Sequence, residues 1–359
     1  MTKNAIPLVD LRGKTPLDLL RAYPERAREI VSEATNTYGL PSRLASLIAL
    51  PFADKKSRAW LEEMGNPYLQ EIESFADIMG VSGMYALNLS YEWGCTSGIY
   101  RTEETVSLLR VMDWPFPALG KNAVVALQKG NAGDFYNLTW PGLSGVFTGT
   151  APGRFACAIN QAPMRKHKMG FIGDWIKNRL LMSTEEGLPP SHLLRQVFEQ
   201  ADNYDEAKRM LTTSPIALPA IFVLSGVNQG EGCIIERLEN SAQVVEIGAA
   251  QQITATNHFI TSLANEGTGW RPREIDSHGR YQQSCSIHGY DLRENNFDWL
   301  RAPIINQRTR LCVIADAASH RLLAQGFEGM STVTDIFNLP AKPYEERTVP
   351  DFLQSVSVA

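Results

Sequence analysis

The sequence predicts a layered α+β protein in which sheets pack inside and helices lie outside. Three observations carry this expectation. The first ninety residues have helical spacing, the texture changes to short β-rich runs after Cys95, and two helical runs stand between two groups of strands. Elements ordered in this way bury sheet faces against one another and cover the outer faces with helices.

Thr15-Pro16 opens the first helix, with Leu17, Leu19, Leu20, Ala22 and Ile30 at three-and-four spacing. A second helix follows Pro41-Ser42. Residues 56–79 continue in the same style with a break at Gly65-Asn66-Pro67, and 81–93 form a further apolar helix that runs up to Gly94-Cys95. Strands are expected at 105–112, 123–128 and 136–140, and a hairpin joins 146–149 to 155–159 around Pro152-Gly153. Helices follow at 174–182 and, after Pro189-Pro190, at 191–211. Strands return at 220–224, 233–237 and 242–247, and a hairpin of 312–316 with 322–326 closes the chain.

Composition excludes several classes. The chain has 359 residues, 44% hydrophobic and 20% charged, enough for a full core in one domain or two. A net charge of −5 argues against nucleic acid as a partner. The one basic cluster, Arg165 to Lys168, reads as a solvated loop. Five dispersed cysteines, at 95, 157, 233, 285 and 312, make neither a disulfide framework nor a zinc site, and no metal or other cofactor is expected. Cys157, Cys233 and Cys312 sit in apolar runs and read as small core residues. The first residues lack an apolar signal region, and the longest apolar stretch, Leu44 to Ala53, is interrupted by Pro51 and too short to span a bilayer. A cytoplasmic protein is expected, so the sequons at Asn88 and Asn137 carry little weight.

Cys95 stands where the helical segment meets the first strand, a natural place for a new N-terminus. A cysteine freed by cleavage of the bond before it owns both a thiol and an α-amine. The amine, with an ordinary pKa of about 7.7–8.0, can act as the base for that thiol. Such a site needs a cation to favour the thiolate, a carboxylate to hold the amine and a donor for the oxyanion. Arg110 and Asp113 supply the first two if antiparallel strands return them to the same edge. Taken alone, Cys95 reads more readily as a buried structural thiol, and Arg110 and Asp113 as surface ions.

"NLSYEWGCTSGIY" (88–100) followed by "LLRVMDWPF" (108–116) resembles the acid ceramidase and N-acylethanolamine acid amidase family of N-terminal-nucleophile hydrolases. That family is related to bile salt hydrolases and penicillin V acylases. "GLSGVFTGTAPGRFACAIN" (142–160) is similar to its Gly-rich hairpin, and "TATNHF" (254–259) to its oxyanion strand. The resemblance implies an αββα sandwich with Cys95 as nucleophile and, through its amine, as base. It implies that Arg110 favours the thiolate, that Asp113 receives the α-ammonium, and that Asn257 donates to the oxyanion. Asn160 matches a position before the substrate, and Arg280, in "SHGRYQQ", a late supporting arginine. Gln161 departs from the family, which has Asn-Glu where this chain has Asn160-Gln161; the exchange removes a charge near the site. His258 beside Asn257 suggests a Cys-His pair, but neighbours on a strand point to opposite faces. Trp93, Trp114 and Trp140 fit either an acyl pocket or the core.

The expected protein is therefore a precursor cut between Gly94 and Cys95. Residues 1–94 form a helical segment that stays bound, and residues 95–359 form the catalytic domain. It would cleave a linear amide, with a fatty N-acyl amide as first choice and the apolar 44–52 segment over the acyl chain. Contact with lipid or a membrane surface is left open. The alternatives are a bile-salt or penicillin-type acylase, an acyltransferase, or an uncleaved lipid-binding homologue.

Overall fold

The computed structural model describes residues 3–38, 43–89, 93–102, 104–182, 186–267, 269–272 and 275–341, with the side chains of 38, 43–50 and 182 excepted. The N-terminal segment runs β1 (Leu8–Asp10), α1 (Pro16–Ala22), α2 (Pro24–Tyr38), α3 (Arg43–Glu63), α4 (Leu69–Met79) and α5 (Met84–Asn88). Next come β2 (Gly94–Arg101), β3 (Val106–Asp113), α6 (Leu119–Asn122), β4 (Val124–Gly130), β5 (Gly133–Thr139), β6 (Thr148–Ala151), β7 (Phe155–Gln161) and β8 (Met164–Arg165). Three helices follow, α7 (Gly170–Met182), α8 (Pro190–Gln200) and α9 (Tyr204–Thr213), and then β9 (Ala220–Ser225), β10 (Gly232–Arg237), β11 (Ala242–Glu246) and β12 (Gln252–Ala255). The last part contains β13 (Trp270–Arg271), α10 (Ser277–Ser284), β14 (Thr309–Asp316), β15 (Arg321–Glu328), β16 (Ser331–Thr332) and β17 (Phe337–Leu339).

One sheet has the order β1-β4-β5-β6-β7-β9-β10-β11. The other runs β12-β2-β3-β14-β15-β16, with β17 also on β15. The sheets pack face to face, β2 and β3 against β7 and β9, and β14 against β6 and β7. Strands buried on both sides lose the polar–apolar alternation of a half-exposed strand, which explains the continuous apolar runs in β9, β10 and β14. Helices α8 and α9 cover the outer face of the first sheet. Over the second, Tyr100, Leu109, Val111, Cys312 and Leu323 pack against Ile287, Leu292, Phe297, Leu300 and Ile304. That outer layer is α10 and an irregular stretch with one 3-10 turn, so the α+β sandwich is helical in full on one side only.

Four local expectations are corrected. The first helix splits in two, because Pro24 sits at the first position of α2, where its missing N–H is harmless. The apolar helix expected over 81–93 is five residues long among the described positions; Gly80 and Gly83 have φ of 61° and 109° and interrupt the run before it, while residues 90–92 lie outside the description. The helix expected over 191–211 is also two, since the Asn203 side chain accepts from the Glu206 N–H at 3.0 Å and starts α9 afresh. Arg165 is a strand residue paired with Glu239 at 2.9 Å rather than part of a solvated loop.

The segment before Cys95 is built into the body. β1 pairs in parallel with β4, and Ile6, Leu20, Ile30, Phe75, Met84 and Trp93 belong to the same core cluster as the sheets. A buried polar junction adds direction. Arg195 of α8 binds Glu71 at 2.7 Å and the Ser144 carbonyl at 2.7 Å. The His192 ring lies between Asn66 (3.0 Å) and Ser144 (2.9 Å). Asn88 and Asn137, the two sequon asparagines, are buried. The start expected for α3 at Pro41-Ser42 and the side chains of most of the 44–52 segment lie outside the described residues. Phe52 is exposed.

Candidate active site

β2 and β3 form the hairpin that the Cys95–Asp113 spacing called for. Gly94 lies opposite Asp113, Cys95 opposite Met112 and Ser97 opposite Arg110. Alternation sends Cys95, Ser97, Arg110 and Met112 toward the other sheet, and Thr96 and Val111 away from it. Cys95 is fully buried, its Sγ 3.9 Å from the Ile159 carbonyl oxygen on β7.

The Arg110 guanidinium donates from Nη1 to the Ile159 carbonyl at 2.7 Å, to Asn160 Oδ1 at 2.5 Å and to Ser97 Oγ at 3.3 Å. Its Nε and Nη2 have no hydrogen-bond partner among the described residues, although the side chain is wholly buried. Burial pushes the Cys95 thiol above its ordinary value; the Arg110 charge, the Gln161 backbone and Arg280 pull it back without overcoming burial. In the continuous chain the thiol therefore rests protonated. Burial also lowers Arg110, with the neighbouring thiol and Asp113 opposing.

Asn160 fixes this wall. Its Oδ1 also accepts from Ser97 Oγ at 2.6 Å, and its Nδ2 donates to the Ala255 and Thr256 carbonyls at 3.0 and 3.1 Å. It joins β7 to the end of β12. On the other side of Cys95, Asn257 Oδ1 accepts from the Cys95 N–H at 2.7 Å and from Arg280 Nη2 at 2.8 Å, while its Nδ2 donates to the Gln161 carbonyl at 2.9 Å. Arg280, on α10, also donates to the Cys95 carbonyl and to Thr96 Oγ1. Asp113 faces away from Arg110 at the strand end, where it accepts from Asn306 Nδ2 and Thr309 Oγ1, each at 2.9 Å. All six expected site residues are buried. Five gather directly around Cys95 or are Cys95 itself; Asp113 is one strand pairing away.

His258 takes no part in this cluster. β12 ends at Ala255, so strand alternation is not the reason. Its Nδ1 lies 3.1 Å from Thr256 Oγ1 and 2.9 Å from Ser277 Oγ, and its ring packs on His278. Trp93, Trp114, Trp140 and Phe147 pack ring against ring in the core, with Trp93 and Trp114 centroids 5.1 Å apart. The Trp93 N–H donates to Gln161 Oε1 at 3.0 Å, so Gln161 braces the chain two residues before Cys95.

Ser97, Gln161, Ser277, Asn306 and Thr309 were not singled out as site residues from the sequence. Ser97 carried a usable signal, since two residues beyond Cys95 on a strand means the same face. Gln161, next to Asn160 on β7, was noted only for the charge it removes, and Ser277, Asn306 and Thr309 come from distant parts of the chain and had none. Among the described residues no cluster of His, Cys, Asp or Glu could hold a metal ion. A cavity of about 50 Å³, room for one or two waters, adjoins Gln161 and is walled by Met164, Asn178, Leu181 and Leu218.

Cys95 is thus buried at the second position of β2, with an arginine on its thiol side and an asparagine–arginine pair on its backbone side. No family model matches the chain. It is 27% identical to the acid ceramidase of Mus musculus over 230 residues, which cover 58% of this chain and 55% of that protein. To the acid ceramidase of Heterocephalus glaber it is 26% identical over 225 residues, 56% and 55% of the two chains. The human acid ceramidase matches at 33% over 127 residues, 34% of this chain and 30% of that one. The chain is thus similar in sequence to acid ceramidases, and it spans about half the length of the curated relatives it matches. Among solved structures, a Caenorhabditis elegans N-acylethanolamine-hydrolyzing acid amidase ortholog covers 68% of this chain and is itself covered in full, at 17% identity and a TM-score of 0.46. A conjugated bile acid hydrolase mutant from Clostridium perfringens covers 68% of this chain and 97% of its own, at 9% identity and a TM-score of 0.38.

Proposed function

We propose that the protein is a cysteine amidohydrolase activated by cleavage between Gly94 and Cys95. The observation that carries this reading is the grip on Cys95: Arg110 beside the thiol, with Asn257 and Arg280 on its N–H and carbonyl.

In maturation, Sγ adds to the Gly94 carbonyl carbon. The C–N bond breaks as the Cys95 nitrogen takes a proton, and water hydrolyses the resulting thioester. The segment 1–94 stays bound, supported by β1 in the sheet, the shared core and the Arg195–Glu71 pair. In turnover, the α-amine takes the thiol proton and the thiolate attacks the substrate carbonyl. Asn257 donates to the oxyanion, and the leaving amine takes its proton from the α-ammonium, which Asp113 stabilises. Water then releases the acyl group. Once the Gly94–Cys95 bond is cut, the end of the upstream segment can move aside and expose a thiol that is fully buried in the continuous chain.

A fatty N-acyl amide is the substrate class favoured here. The similarity to acid ceramidases supports it, and so does α7, which with Met169 just before it presents Phe171, Ile172, Ile176 and Leu180 to solvent. Leu181 of the same helix walls the cavity beside Gln161, so an apolar surface suited to lipid contact lies near the site. Hydrolysis should be assayed over fatty acylethanolamides, ceramide, acyl-homoserine lactones, conjugated bile salts and penicillin V. Turnover of the fatty amides in preference to the last two supports the reading; preference for bile salts or penicillin V, or cleaved protein inert toward all of them, contradicts it.

A further inference from the structure

The loop after β12 and the first turn of α10 meet at one hydroxyl. Ser277 Oγ, buried at the start of α10, accepts the Asn257 N–H at 2.9 Å and lies 3.0 Å from Thr256 Oγ1 and 2.9 Å from His258 Nδ1. Thr256 Oγ1 donates to the Ser277 carbonyl at 2.9 Å. One turn further along the same helix stands Arg280, which holds the Asn257 side chain and the Cys95 carbonyl. Asn257 is therefore held twice from one helix turn, at its backbone by Ser277 and at its side chain by Arg280.

We propose that Ser277 is a positioning residue: it fixes Asn257 relative to Arg280 and so sets where the Asn257 amide lies beside Cys95. This rests on the reading of Cys95 as the nucleophile. A displacement of about 1 Å at a reacting centre is enough to cost on the order of 10²-fold in rate. Among the described residues no other side chain receives the Asn257 N–H, and the one neighbouring tie to this helix, from Thr256 Oγ1, also ends on Ser277.

The proton arrangement follows from the bonding. The Thr256 proton goes to the Ser277 carbonyl, and the Asn257 N–H occupies a Ser277 lone pair. The Ser277 proton then has two acceptors in reach, Thr256 Oγ1 and His258 Nδ1, and in the tautomer that leaves Nδ1 unprotonated it goes to His258. Among the described residues, the titratable or charged groups facing His258 are His278, Arg280 and Tyr281, all on α10. Burial, His278 and Arg280 hold His258 down at about 4. Below that pH, Nδ1 becomes a donor and a new cation appears beside Arg280, so the Ser277 bond must rearrange.

The test is steady-state kinetics per cleaved molecule on any accepted amide, for wild type, Ser277→Ala, Ser277→Thr, His258→Asn and Cys95→Ala. The proposal expects Ser277→Ala to lower kcat by about 10- to 100-fold with KM within about threefold, and Ser277→Thr, which keeps the hydroxyl, to recover most of the loss. It also expects the wild-type plot of log kcat against pH to gain one further unit of slope below pH about 4. His258→Asn, with no proton to gain, should lack that bend. Ser277→Ala within threefold of wild type, Ser277→Thr no better than Ser277→Ala, or a bend that survives His258→Asn overturns the proposal. If Ser277→Ala fails to fold, the His258→Asn profile decides. Activity in Cys95→Ala would instead overturn the nucleophile assignment beneath it.

Discussion

Replacing Asn257 by alanine separates what this residue does for stability from what it does for rate. The side chain is fully buried and makes three hydrogen bonds, from the Cys95 N–H, from Arg280 Nη2 and to the Gln161 carbonyl. Truncation removes a bond from all three partners. At about 1–3 kcal/mol for each of the two groups left unsatisfied, with Arg280 still held by Ile275 and Cys95, the loss is about 2–6 kcal/mol. That is less than the stability of most domains, so the variant should fold with a lower urea midpoint. The kinetic effect is separate. Negative charge reaches the carbonyl oxygen only as the thiolate adds, so an oxyanion donor acts on the transition state and not on the bound ground state. Losing it should cost about 10²–10³ in kcat, roughly 3–4 kcal/mol, with KM nearly unchanged. The assay is steady-state hydrolysis corrected for the cleaved fraction by intact mass, with urea unfolding in parallel. His258→Ala should lower the midpoint more than the rate, since His258 bonds Thr256 and Ser277 rather than Cys95. An Asn257→Ala enzyme within about fivefold of wild type, beside an inactive His258→Ala, would refute this reasoning in favour of a Cys-His mechanism.

Arg110→Ala removes the cation beside the Cys95 thiol, and Asp113→Asn removes the carboxylate held by Asn306 and Thr309. Each should lower turnover per cleaved molecule by on the order of 10²-fold or more, and normal kcat in either would remove its assigned role. Acid stability should depend on His192, which burial and Arg195 hold down at about 3 between Asn66 and Ser144. An ordinary histidine titrates near 6.5, so between those values the unfolded chain binds the extra proton and stability rises with pH. Its neutral contribution is present above about pH 6.5, is lost toward pH 3, and amounts to about 5 kcal/mol. Urea unfolding at pH 4 and 7 should show a steep difference in wild type that His192→Gln flattens; an equal slope in both would contradict it.

The core of the site was legible because it lies on a hairpin. Strand alternation and the spacing from Cys95 to Arg110 are local, and the register fulfils them with Ser97 opposite Arg110. The buried strands and the small core cysteines were legible for the same reason, as apolar runs bounded by turns. What escaped was set by tertiary contacts. β1 is three residues long and is a strand only because β4 lies beside it. Helix α10, with few apolar residues, has no stripe to betray it, yet it carries Arg280 and Ser277. Asn306 and Thr309 reach Asp113 from nearly two hundred residues away. The helix expected before Cys95 followed hydropathy alone and overlooked Gly80 and Gly83, whose positive φ stops it.

The central claim is that Cys95 cuts the chain before itself and then works as an N-terminal nucleophile. Intact-mass measurement of purified wild type and Cys95→Ala, with N-terminal sequencing of every fragment, tests it most directly. Wild type should resolve into a fragment starting at residue 1 and a co-purifying fragment whose first residue is Cys95, while Cys95→Ala remains one chain without activity. Cleavage of Cys95→Ala at the same bond in a protease-free preparation, or full activity from an uncut wild-type chain, would contradict the account.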